Sequence, residues 1–92
     1  MAGKTMNDNN FVSLLAKTLE NLDITKNALA VEAKVRPATI HDLVNGNAKQ
    51  VNFETLKAII DALNRISFEK GHVRRHTVED VFKYEPTQKS AQ

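Results

Sequence analysis

No cysteine occurs among the 92 residues, which excludes disulfide frameworks, thiolate metal sites and cysteine nucleophiles. Tryptophan is absent too, and aromatic residues make up only 5% (Phe11, Phe53, Phe68, Phe82 and Tyr84). The core must therefore be mostly Leu, Ile, Val and Ala. Nothing approaches the ~18 consecutive apolar residues of a membrane span. The opening Met1-Ala2-Gly3-Lys4-Thr5 has no hydrophobic leader segment. A soluble, cytoplasmic chain without a membrane partner is expected. What is present is ordinary globular material: 41% hydrophobic and 26% charged residues argue against disorder over most of the length. The length suits one domain.

The formal net charge is only +2, but it is unevenly spread. Residues 24–53 hold four basic against two acidic side chains, and residues 65–76 hold four against one. Two basic zones in an otherwise acidic chain permit contact with nucleic acid without proving it.

Residues 1–10 are polar and without periodicity, and read as a flexible arm; residues 11–86 read as the folded domain and 87–92 as a flexible tail. Phe11, Leu15, Leu19 and Leu22 recur at helical spacing, which predicts a first helix capped by Asn10. Thr25 is placed to cap a short second helix over Lys26–Ala33. Lys34-Val35 makes a turn, and Arg36-Pro37 opens a third helix, where the missing proline N–H costs nothing. That helix ends at Asn45-Gly46-Asn47, with Gly46 suited to a left-handed cap. A fourth helix turns Phe53, Leu56, Ile59, Ile60 and Leu63 inward. Beyond it Ile66 and Phe68 alternate with polar residues up to Gly71, and Val73 follows, which predicts a β-hairpin over about 65–76. Thr77 and Asp80 resemble a capping box opening a last helix with Val78, Val81 and Phe82, stopped by Pro86.

The segment Thr25–Gly46 carries the functional expectation. Two helices joined by so short a turn must cross steeply, and this needs a small residue at closest approach, which Ala30 supplies. Val35 plugs the turn, while Ile40 and Leu43 anchor the second helix. Its outer face is then left free to enter a DNA major groove.

From Leu29-Ala30 through Val35-Arg36-Pro37-Ala38-Thr39-Ile40-His41-Asp42-Leu43 and Asn45-Gly46 to Phe53-Glu54-Thr55-Leu56, the chain resembles the phage-repressor and Cro (XRE-type, lambda-repressor-like) helix-turn-helix family. The resemblance runs over about Phe11–Leu63, with Val78–Tyr84 similar to the family's closing helix. It implies an all-α, five-helix domain, here with the hairpin inserted before the last helix. It also implies a DNA-binding transcriptional regulator, most simply a repressor, acting as a homodimer on double-stranded DNA. No cofactor or small-molecule effector is expected.

By position, the resemblance places Arg36, Pro37, Ala38, His41 and Asp42 on the base-reading face. Lys26, Thr39, Asn45, Lys49, Gln50 and Asn52 fall among the contacts to the sugar-phosphate backbone. Chemistry agrees: Arg36 can fork onto guanine, Ala38 can pack on a thymine methyl, and Asp42 can accept from cytosine N4. Arg36 has an alternative role as the salt-bridge partner of Glu32. Lys34 stands where the family usually has glycine, and Pro37 and Ala38 replace amide side chains that relatives use to read adenine. Arg65, Lys70, Arg74 and Arg75 are open to three readings: a DNA wing, a dimer edge or an inert solvated hairpin.

Other chemistry finds little footing. His72 and His76 are four apart, but with no third ligand no metal site is expected. There is no phosphate-binding glycine loop, no HExxH and no GxSxG, so no enzyme is expected. The alternative is a helix-turn-helix module that binds another protein, of antitoxin or anti-repressor type.

Overall fold

The computed structural model describes residues 5–72 and 75–85. Residues 1–4 of the expected arm, Val73, Arg74, the expected stop at Pro86 and the expected tail lie outside the described residues. A 3-10 turn at Asn7–Asn9 leads into strand β1 (Phe11–Ser13), followed by helices α1 (Leu15–Leu22), α2 (Lys26–Ala33), α3 (Pro37–Asn45) and α4 (Phe53–Glu69). A second 3-10 turn, Val78–Asp80, precedes strand β2 (Phe82–Tyr84). The two strands pair antiparallel, Phe11 opposite Tyr84 and Ser13 opposite Phe82. Leu15, Leu22, Leu29, Ile40, Leu43, Ile59, Leu63 and Val81 form the buried centre. As the composition required, these large side chains are aliphatic, and Ser67 is fully buried beside them.

The fold is mostly helical, but five expectations need correction. Phe11 does not begin α1, and Asn10 is not its cap. Phe11 sits four residues before Leu15 by coincidence of spacing; its ring packs on Phe82 and Tyr84 at centroid distances of 5.7 and 5.4 Å. Asn10 takes a left-handed conformation, φ 69°, that turns the chain into β1. Residues 5–10 of the expected flexible arm are docked, with Met6 only 9% exposed.

No hairpin opens at Arg65. Ile66 and Ser67 are buried because they continue the row of Ile59, Ala62 and Leu63, so α4 runs on to Glu69. Phe68 alternates with Ile66 only by chance and is 82% exposed. At the other end of α4, Phe53 is also exposed rather than inward. Finally, the fifth helix is a single 3-10 turn. The Thr77–Asp80 capping box forms, but Phe82 then leaves the helical path to pair with Ser13.

All four helices end alike. After each, a residue at positive φ lets its own N–H and the next one fold back on the last turn, in the Schellman arrangement. For α2 these bonds are Lys34 N–H to Val31 O at 3.2 Å and Val35 N–H to Ala30 O at 3.0 Å. The turning residues are Asp23, Lys34, Gly46 and Gly71. The glycine that suggests a hairpin turn is therefore the cap of α4. At Lys34 a Cβ is held at φ 60°, with its side chain exposed. Lys34→Gly is expected to stabilise the domain by about 0.5–1 kcal/mol, relief of left-handed strain outweighing the added freedom of the unfolded chain. Urea unfolding checks this, and a loss of stability would contradict it.

Candidate nucleic-acid interface

Helices α2 and α3 form the helix-turn-helix. Thr25 Oγ1 accepts from Ala28 N–H at 3.0 Å, which starts α2 as its sequence requires. Ala30 is 1% exposed where the helices meet. Val35 closes the turn against the core. On α3, Ile40 and Leu43 are 0% and 1% exposed, and they fix which face the helix turns outward.

That outward face carries His41 and Asp42, with Arg36, Pro37 and Ala38 at its leading end, all exposed. Arg36 is the N-cap of α3 in extended conformation, with Pro37 as the first helical residue. Its guanidinium adds to the partial positive charge of a helix N-terminus, a favourable place for an anion. Lys26 is exposed at the start of α2, while Asn45, Lys49 and Gln50 are exposed at and beyond the end of α3. Thr39 is half-buried. Asn52 has a structural task as well, since its Oδ1 accepts from Thr55 N–H at 2.7 Å and caps α4.

The alternative partner for Arg36 is taken. Glu32 is held by Arg65, whose Nε lies 2.7 Å from Glu32 Oε2 and whose Nη2 donates to Glu32 O at 2.9 Å. Arg65 is thus a strut between α2 and α4 rather than part of a wing. Lys70 follows the last turn of α4. Arg75 borders a shallow groove with Lys17, Thr77, Glu79 and Lys83. Among the described residues of the second basic zone, Arg65, Lys70 and Arg75 are dispersed over the surface, not gathered on one hairpin.

Two features escape a pattern-based reading. Asn64 closes the excursion after α4 by acting as a backbone mimic: its Nδ2 donates to His76 O at 3.0 Å and its Oδ1 accepts from His76 N–H at 2.6 Å. His76, expected in a solvated hairpin, is consequently 5% exposed, with Nδ1 3.2 Å from Asp80 Oδ2. That contact does not have hydrogen-bonding geometry. The other feature is the N-terminal turn, which touches the loop after α3. Polar Asn-rich sequence gives no periodic signal for either.

Among the described residues no three His, Asp or Glu side chains gather as a metal site, and no helix is long and apolar enough to cross a membrane. The family model for a Cro/C1-type helix-turn-helix DNA-binding domain matches residues 15–65, just over half of the chain. No curated protein and no solved structure matches.

Proposed function

Because the chain belongs to the Cro/C1-type helix-turn-helix DNA-binding family, we propose that it is a transcriptional repressor that occludes its site. Helix α3 lies in the major groove, and the contacts of Lys26, Asn45, Lys49 and Gln50 with phosphate fix its register. The observation that carries this reading is the division of α3. Ile40 and Leu43 are buried on one side, while Arg36, Ala38, His41 and Asp42 stand exposed on the other. One such module buries modest surface on DNA, so a homodimer on a two-fold related site supplies the affinity. The protein acts in the cytoplasm, without catalysis and without a small-molecule effector.

Selection of bound fragments from random duplexes tests the reading, because symmetry in the selected site also reports the dimer. With the site in hand, Arg36→Ala is expected to cost about 1–3 kcal/mol and to relax preference at one base pair. Lys49→Ala is expected to weaken all sequences alike. Equal relaxation by both variants would contradict the division into reading and gripping residues.

The second reading is a protein-binding module of antitoxin or anti-repressor type. It is favoured by Phe53 and Phe68, 88% and 82% exposed, which offer apolar contact points to a partner. Failure to shift any duplex, alongside tight and salt-insensitive binding to a protein, would support it.

A further inference from the structure

The family match begins at Leu15, yet the turn that precedes it reaches across to the loop after α3. Met6 N–H donates to Ala48 O at 2.8 Å, and Asn7 N–H donates to Gly46 O at 3.3 Å. Met6 is anchored in its turn. Its side chain belongs to the core cluster, and its carbonyl accepts from Phe11 N–H at 2.8 Å. Gly46 is buried at φ 76°, and Asn7 occupies the space a side chain there would need, its Cγ 2.7 Å from the position of a Cβ. Beneath the loop lies a part-open hollow of about 410 Å³ lined by Met6, Phe11, Leu43, Val51 and Phe82. Side-chain packing alone therefore does not set the height of the loop; the two backbone bonds from the turn do.

We propose that Met6 and Asn7 are positioning residues that clamp the carbonyls of Gly46 and Ala48, so that Lys49 and Gln50 are held ready for the phosphate backbone. The proposal rests on the DNA-binding reading above. A loop already held in its bound shape loses less freedom on association, and the saving appears as affinity. The turn itself is a poor phosphate ligand, since Asp8 sits in it with its carboxylate turned to Thr5 N–H and Oγ1 at 3.1 and 3.2 Å. It acts through the loop.

Gly46→Ala and Asn7→Ala, singly and together, test the clamp. Asn7→Ala removes the atoms in the way of a Cβ at position 46 but leaves the N–H that bonds Gly46 O. Gly46→Ala alone is expected to speed amide hydrogen exchange of Met6 and Asn7, the donors of the two clamp bonds, about tenfold, and to weaken binding to the selected duplex by a similar factor. This is the size of one lost net hydrogen bond, and base preference should not change. Adding Asn7→Ala to Gly46→Ala should recover part of both effects, the left-handed strain at position 46 accounting for the remainder. No recovery, or lost affinity with unchanged exchange of the Met6 and Asn7 amides, would overturn the clamp. Met6→Ala gives an independent reading: the amides at positions 6 and 7 should exchange faster while those of α2 and α4 keep their protection, and a uniform loss would make Met6 a core residue only. A wild-type chain without salt-dependent duplex affinity would sink the DNA-binding reading, whereas the exchange rates judge the clamp either way.

Discussion

Ile40→Ala is expected to lower the unfolding free energy by about 2–5 kcal/mol, a large share of what a domain of this size possesses. Ile40 is 0% exposed and lies where α3 meets the core. Truncation removes apolar burial and leaves a void that the surrounding leucines fill only in part. The neighbouring His41→Ala is the control. His41 is exposed, so its loss should change stability by no more than about 0.5 kcal/mol while altering duplex binding. Urea unfolding of both variants, with a binding assay under conditions where each is folded, separates the inward and outward roles of one helix. Comparable destabilisation by the two would mean that the outward face of α3 is not free.

Raising salt fourfold, from 50 to 200 mM, is expected to weaken duplex binding by about a thousandfold. The size follows from counting cations. Lys26, Arg36 and Lys49 are exposed at the two ends of the helix-turn-helix, and a dimer presents each of them twice. About six neutralised phosphates give a slope near −5 in a plot of log affinity against log salt. Lys49→Ala should flatten that slope by about one for each subunit. A flat dependence would remove the phosphate-gripping role from these residues and favour the protein-binding reading. Arg65 is left out of the count, because it is already engaged by Glu32 at 2.7 Å.

The helix-turn-helix was legible because each of its requirements is local. Thr25 as cap, Pro37 at a first helical position, Gly46 at a left-handed end and the aliphatic pairs that bury one face can each be read within a few residues. The candidate site was legible for the same reason, since exposure along α3 follows once Ile40 and Leu43 are placed inside. What failed depends on partners distant in sequence. Whether Phe11 continues a helix or begins a strand is decided by Phe82 and Tyr84, at the other end of the described chain. Thr18 is buried because its Oγ1 donates to Asp80 O at 2.7 Å, which nothing near position 18 announces. The helix over Arg65–Glu69 was misread for a different reason. Ile66 and Phe68 fit a two-residue alternation and Ile66 also fits the helical row, and only the tertiary burial of Ser67 breaks the tie.

The pairing of Phe11–Ser13 with Phe82–Tyr84 bears on how the molecule comes into being during synthesis. Helices α1 to α4 lie on one contiguous stretch and can assemble once α4 has emerged, since α2 packs on both α3 and α4. Strand β1 is made before the four helices and must wait until they and β2 have been made before its pairing partner exists. Met6 and Asn7 lie just ahead of that strand, so the support beneath the Lys49 loop gains its full footing only after β2 has been made. A chain that lacks β2 would carry a formed recognition helix with a poorly seated grip, and would compete weakly for the same DNA with chains that have it.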